Sequence, residues 1–280
     1  MTTSTTHWID VDHARLYAEE AGEAGEGDAI TMLHGFLVDS GQWDTEFVSL
    51  AKTHRVLRYD ARGFGRSTIE SGRYAHHKDL ATVLDARGIR RTALLACSGG
   101  AATALDFTLA HPERVSALIL VGAGYWGRFA DSTPAARAFL QALSTMDANG
   151  LIDSSLRAFT DGPCRAPNEV DPAVRKHTEA MTTRLFKRET SYWTRAAQDQ
   201  QVPQPSALER LHEIDVPVVL IVGSEDQMEV RHLTQELARG MAHARALVMD
   251  GAGHHANMEA PAQVLAEIRN VLRLKTQSAA

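Results

Sequence analysis

The sequence predicts an α/β fold in which a mostly parallel sheet carries helices on both faces, with a helical cap inserted after the sixth strand. Three observations point to it. Short β-rich runs alternate with helical stretches over most of the chain, the pattern of a sheet wrapped by helices. Several of the runs are apolar at nearly every position, as strands covered on both faces are. One long stretch, residues 125–211, holds no convincing strand, only helical runs divided by Pro134, Pro163, Pro167, Pro172, Pro203 and Pro205.

In chain order, residues 8–11 and 14–19 read as an opening hairpin joined by Asp12-His13, with an acidic glycine-rich loop at 22–27 behind it. Residues 29–33, 55–59, 92–96, 116–121, 217–222 and 245–249 follow as strands, and residues 76–87, 99–110, 230–239 and 262–274 as helices. In the last of these, Val264, Leu265, Ile268 and Leu272 recur at helical spacing and give one apolar face to pack on the sheet. An insertion as long as 125–211 between two strands is too large for a structureless loop. The expected division is therefore a core of residues 1–124 and 212–280 and a helical cap, or lid, of residues 125–211.

Composition narrows the function. A chain of 280 residues has room for a sizeable core, and 44% hydrophobic with 23% charged residues is ordinary for a soluble globular protein. The net charge is -6 and the basic residues are scattered, which gives no electrostatic footprint for nucleic acid or an anionic membrane. Cys97 and Cys164 lie far apart, which argues against a disulfide framework and fits a reducing compartment. Residues 1–7 are polar, without the basic start and apolar run of a signal peptide, and the longest apolar stretches fall far short of the roughly 20 residues of a membrane span. The expectation is a cytoplasmic protein with neither a nucleic-acid nor a membrane partner; its oligomeric state is left open.

The segment Leu94-Leu95-Ala96-Cys97-Ser98-Gly99-Gly100-Ala101 follows a strand and opens a helix. A nucleophile on so sharp a turn needs small residues two before and two after it, because the backbone crowds there. Centred on Ser98 these are Ala96 and Gly100; centred on Cys97 they are Leu95 and Gly99, and leucine is too bulky. Ser98 is the better nucleophile. The segment resembles the Gly-x-Ser-x-Gly elbow of the α/β-hydrolase superfamily, with Ala96 in place of the first glycine. Two later loops extend the resemblance. Gly223-Ser224-Glu225-Asp226 resembles the family's acid loop, and Asp250-Gly251-Ala252-Gly253-His254-His255 resembles its Gly-x-Gly-His loop. A hydroxyl needs a base to take its proton, and the base needs an orienting acid. In this family they follow in the order Ser, acid, His, each behind a strand. The resemblance implies a triad of Ser98, Asp226 and His254. Glu225 and Asp250 stand as alternative acids, and His255 reads as a cap-facing neighbour.

Further matches cover the rest of the core. Leu33-His34-Gly35-Phe36 resembles the family's His-Gly-x motif, which implies an oxyanion hole formed by the backbone N–H groups of Phe36 and Gly99. His34 is expected to brace that loop by hydrogen bonding. Asp60-Ala-Arg62-Gly63-Phe64-Gly65-Arg66-Ser67 resembles the family's Asp-x-Arg-Gly-x-Gly-x-Ser segment, where Asp60 and Arg62 can pair with each other or bond loop backbone. His111-Pro112-Glu113-Arg114-Val115 is also common after the elbow helix. In the insertion Trp126, Phe129, Phe139, Phe159, Phe186, Tyr192 and Trp193 are expected mostly to form the core of the cap. Trp126, which follows a strand end directly, and Phe36 are candidates to line a substrate pocket.

Other signals are set aside. Gly122-Ala123-Gly124-Tyr125-Trp126-Gly127 fits Gly-x-Gly-x-x-Gly, but the acid at about the distance a dinucleotide site needs, Asp147, lies in a helical, strand-free stretch. The thirteen histidines show no zinc-like spacing, and His76-His77 read as solvated helix positions. Neither a metal nor another cofactor is expected. The resemblance therefore implies a cofactor-free serine hydrolase acting on a small-molecule ester or lactone through an acyl-enzyme. Its core-plus-cap layout is similar to that of enol-lactonases and small carboxylesterases. A carbon–carbon bond hydrolase or lyase and a perhydrolase would use the same triad, and a slow or non-catalytic ligand receptor would share the fold.

Overall fold

In the computed structural model, which describes residues 3–23, 28–128, 131–189, 191–193 and 197–278, eight strands form one sheet. They are β1 (Thr5–Val11), β2 (Ala14–Ala21), β3 (Ala29–Leu33), β4 (Val56–Tyr59), β5 (Thr92–Cys97), β6 (Val115–Val121), β7 (Val218–Gly223) and β8 (Ala244–Met249). Their order across the sheet is β1-β2-β4-β3-β5-β6-β7-β8. The β1–β2 hairpin and the β2–β4 pair are antiparallel; the remaining neighbours are parallel. Most of the loop expected at 22–27 lies outside the described residues, as does Phe129.

The helices are α1 (Asp44–Leu50), α2 (His76–Ala86), α3 (Gly99–Ala110), α4 (Pro134–Thr145), α5 (Ala148–Ser155), α6 (Pro172–Phe186), α7 (Met228–Gly240), α8 (Ala256–Glu259) and α9 (Pro261–Ser278). Side chains alternate between sheet faces along a strand, and this sorts the core in two. On β5, Leu94 and Ala96 pack with Leu80 of α2, Leu105 of α3 and Leu237 of α7. Ala93, Leu95 and Cys97 of the same strand pack on the other face with Phe47 of α1 and with Val264 and Ile268 of α9. The sequence expectation of helices on both faces is met. The short helices α1 and α8 were not anticipated; at 7 and 4 residues they are too brief to show a period.

Between β6 and β7 the chain is helical. Two of the prolines read as dividers open α-helices instead, and Pro167 opens a short 3-10 helix: Pro134 follows Thr133, whose hydroxyl accepts the Ala136 N–H, and Pro172 follows Asp171, whose carboxylate accepts the Ala173 N–H. Proline suits this first position because its missing N–H would have no intrahelical partner there. A single π-helical turn spans Leu156–Asp161. A third apolar cluster joins Phe139, Leu151, Leu185 and Phe186 of this segment to Phe64, Ile69 and Tyr74 from the chain between β4 and α2. The insertion is thereby packed over the carboxyl ends of the strands, where ligands of such sheets bind. No helix among the described residues is long and apolar enough to cross a membrane.

Candidate active site

β5 ends at Cys97 and α3 begins at Gly99, so the whole reversal is made at Ser98, with φ 49° and ψ -120°. A non-glycine residue at positive φ is strained and persists only where its surroundings enforce it. The Ser98 N–H donates to Val121 O (3.1 Å), and the Gly124 N–H donates to Ser98 O (3.1 Å), tying the bend to the end of β6. Slim neighbours make room: a Cβ on Gly100 would lie 2.6 Å from Leu33 O, and one on Gly99 would lie 2.6 Å from the Phe36 ring. The two nucleophile candidates are thereby parted. Cys97 is fully buried in the α1/α9 core, and burial pushes its thiol up to about 12. Ser98 faces a cavity.

That cavity has a volume of ≈ 280 Å³ and is also lined by His254, Phe36, Trp126, Phe139, Phe159, Tyr192 and Trp193. The His254 Nδ1–H donates to Asp226 Oδ2 at 2.9 Å, with Oδ1 at 3.1 Å. A carboxylate only accepts, so Nδ1 carries the proton and Nε2 is left as the acceptor. Asp226 Oδ1 also takes the Gln227 N–H (2.7 Å). Both side chains are buried, 5% exposed for the imidazole and 0% for the carboxylate. Of the other acids considered, Glu225 takes the Ser224 hydroxyl (3.1 Å) and Asp250 is exposed; neither bonds His254. A larger polar cavity of ≈ 570 Å³, lined by Asp10, Asp12, Arg62 and Lys78 among others, contains none of the sequence-predicted site residues. No three His, Cys, Asp or Glu side chains among the described residues gather where they could share a metal ion.

The loop after β3 is held from both sides. His34 Nε2 accepts the Ala61 N–H (2.9 Å), so its Nδ1–H donates to Gly35 O (2.7 Å). Gln42 Oε1 accepts the Gly35 N–H (2.8 Å), while its amide nitrogen reaches Asn257 Oδ1 (3.3 Å). Among the described residues, the Phe36 and Gly99 N–H groups donate to no protein acceptor. The Phe36 ring sits 5.2 Å from Trp126 and 4.9 Å from His76, centre to centre. Trp126 is itself anchored: its indole N–H donates to Asp106 Oδ2 (2.7 Å), and the Tyr125 hydroxyl donates to Oδ1 (2.9 Å).

Two expectations need correction. His76 is not solvated but buried among Phe36, Trp126 and Tyr74, because the start of α2 tucks beneath those rings; desolvation holds its pKa well below the usual value. His255 faces the core rather than the cap, with Nδ1 3.3 Å from the Gln42 amide nitrogen. Of the two roles open to Asp60 and Arg62, bonding to loop backbone is the one seen: Asp60 accepts the Ser40 and Arg66 N–H groups, and Arg62 donates to Asp12 O (2.9 Å) while forming a bidentate pair with Asp79 of α2 (2.6 and 2.7 Å). Sequence reasoning missed Gln42, Asp106 and Arg165. Only Asp106 left a signal, an acidic residue inside the otherwise small and apolar run of α3.

The alpha/beta hydrolase family profile matches residues 32–268. The chain belongs to this family. It is 35% identical over 113 residues to the 2-hydroxy-6-oxo-6-phenylhexa-2,4-dienoate hydrolase of Comamonas testosteroni, covering 38% of this chain and 40% of that relative. The match therefore spans less than half of the relative's length. A second relative, the 2-hydroxy-6-oxononadienedioate/2-hydroxy-6-oxononatrienedioate hydrolase of Burkholderia vietnamiensis, is 27% identical over 275 residues, 92% of each chain. Among solved structures, the enol-lactonase of Burkholderia xenovorans LB400 superposes with a TM-score of 0.77 at 22% identity, over 95% of this chain and 100% of that one, a likeness of fold.

Proposed function

We propose that this hydrolase cleaves carboxylic esters or lactones of small, partly apolar substrates through Ser98, His254 and Asp226. The observation that carries the proposal is that Ser98, on its strained bend, and His254, locked by Asp226, line the same apolar cavity. In the proposed reaction His254 Nε2 takes the Ser98 hydroxyl proton as the oxygen attacks the acyl carbon. The Phe36 and Gly99 N–H groups receive the oxyanion, an interaction worth about 3 kcal/mol per donor in other hydrolases. The imidazolium returns the proton to the leaving alcohol, and a water activated by His254 then releases the acid. Residues 125–211 act as a lid that supplies the aromatic walls and excludes bulk water.

A second reading, carbon–carbon bond hydrolysis, is favoured by the names of the dienoate-cleaving relatives. Substrates of that kind carry carboxylates. Among the described residues lining the cavity, the side chain that carries a full charge is that of Arg128, which is exposed and already paired with Glu236 at 2.8 and 3.1 Å. This favours an uncharged ester or lactone. The test is a panel of p-nitrophenyl esters, aryl lactones and a 2-hydroxy-6-oxodienoate, run with the wild type and Ser98→Ala. Ester turnover lost in Ser98→Ala is expected. Turnover of the dienoate with none of the esters or lactones would replace the first reading by the second.

A further inference from the structure

Arg165 lies in the insertion, just after the π-helical turn, and its guanidinium is fully engaged. Nε donates to Asp161 O (2.9 Å). Nη1 donates to Gly251 O (2.9 Å) and Glu259 Oε2 (2.5 Å). Nη2 donates to Thr160 O (2.8 Å) and Glu259 Oε1 (3.3 Å). These are the five N–H groups that an arginine possesses. Two of the acceptors belong to the insertion and the others to the loop and helix around His254. Glu259 Oε1 in turn accepts the Gly253 N–H (2.9 Å), so the residue just before His254 is held through Arg165's partner, and Gly251 is held directly.

The loop's glycines fit this arrangement. Gly251 has φ 73° and needs glycine for its conformation. Gly253 does not have positive φ; a Cβ there would collide with Arg165 Nη2 and lie 3.0 Å from Glu259 Oε1. Its missing side chain is space for the guanidinium. Nearby parts of the insertion press on the same region: the Phe159 ring centre is 5.3 Å from that of His254, and the Gln227 side-chain amide beside Asp226 donates to Ala158 O.

Arg165 and Glu259 are 11% and 8% exposed. A pair so far removed from water gains little net stability, because desolvation offsets the attraction; its planar fork instead fixes direction. We propose that Arg165 is a positioning residue for His254, through which the insertion sets the height and tilt of the imidazole over Ser98. The inference rests on the proposed triad. The insertion is then more than a cover, since one part of it is built into the base's support.

The test measures the rate at which a fluorophosphonate labels Ser98, together with kcat and KM for p-nitrophenyl butyrate, in wild type, Arg165→Met, Arg165→Lys, Gly253→Ala and the control Arg184→Met. Arg184 pairs with Asp39 (2.7 Å), joining the insertion to the core away from His254. Arg165→Met and Gly253→Ala are expected to slow labelling and kcat on the order of 10- to 100-fold, as ångström-scale misplacement of a catalytic group does. KM should move by no more than about twofold, the mark of a lost transition-state contact. Arg165→Lys keeps the charge without the fork and should recover little of the rate. Arg184→Met should label like the wild type. If Arg165→Met does not fold, Arg165→Lys and Gly253→Ala give the same readout. Wild-type labelling rates in folded Arg165 and Gly253 variants, an effect confined to KM, or equal slowing in Arg184→Met would each overturn the proposal alone. A wild type that takes no label at Ser98 would overturn the triad, and the positioning role with it.

Discussion

The indole N–H of Trp126 and the carboxylate of Asp106 meet at 2.7 Å, joining the loop after β6 to the helix that begins beside Ser98. The same carboxylate takes the Tyr125 hydroxyl, and burial, with only uncharged donors around it, pushes its pKa up to about 6. Asp106→Ala would leave the buried Tyr125 hydroxyl and the half-buried Trp126 indole N–H without this acceptor, at about 1–3 kcal/mol for a fully buried donor, and release one wall of the cavity. The expected outcome is a lower Tm and a flatter dependence of kcat/KM on acyl chain length. Trp126→Ala should reproduce the change in selectivity. If the ratio of hexanoate to acetate ester turnover is the same in both variants as in wild type, Trp126 is not a pocket wall.

Cys97 and Ser98 are adjacent, yet one is buried in the core and the other lines the cavity. Ser98→Ala should reduce kcat by ~10⁴ or more, as loss of the nucleophile does in serine hydrolases. Cys97→Ala should keep wild-type kcat while losing a modest amount of stability to the small cavity created. Peptide mapping of a fluorophosphonate adduct decides the matter, and label on Cys97 would reverse the assignment.

Gln42 is expected to matter out of proportion to its distance from any bond being broken. It supports the Gly35 N–H and is tied to Asn257 by two contacts, since Asn257 Nδ2 donates back to Gln42 O at 2.9 Å. Gln42→Leu leaves that N–H unpaired and loosens the loop that carries the Phe36 amide. A loss of about 10-fold in kcat with little change in KM is expected, within the range for a weakened oxyanion donor. Steady-state kinetics at fixed pH test this, and unchanged kcat would remove Gln42 from any such role.

Glu46 is buried on α1; the Asn257 amide lies close, but neither carboxyl oxygen makes a hydrogen bond of good geometry. Burial raises its pKa from 4.5 to about 8, so the folded chain keeps a proton that the unfolded chain has lost. Its contribution to stability is fully present below 4.5 and declines as pH rises through about 8. The slope is roughly 1.4 kcal/mol per pH unit between those values. The Tm should therefore fall between pH 5 and pH 9, and Glu46→Gln should flatten that fall and raise the Tm at pH 9. Thermal melts across the range check the sign; parallel curves for the two proteins would refute it.

Some of this molecule was readable from the chain alone. β5, β6 and β7 are legible because strands covered on both faces must be apolar along their length, and the loops after them carry small residues that sharp turns require. The choice of Ser98 over Cys97 follows from that local grammar, while Asp226 and His254 are read from the resemblance of their loops to the family's. Gln42 and Arg165 escaped because their partners lie far away in sequence, 215 residues off for Asn257 and 94 for Glu259. Bonds of that kind leave no period and no compositional mark. His76 was misread for a related reason: a polar residue at a helix start looks solvated unless one knows which rings fold over it.

The alternation along β5 also governs which chemistry the bend displays. One residue inserted upstream in that strand would carry the Cys97 sulfur to the turn and push the Ser98 oxygen into the helix, since each step along an extended chain reverses the side chain's direction. On the proposed mechanism, a thioester and an oxygen-ester intermediate are thus one notch of strand frame apart, and the frame is guarded by apolar packing on both sides of the sheet.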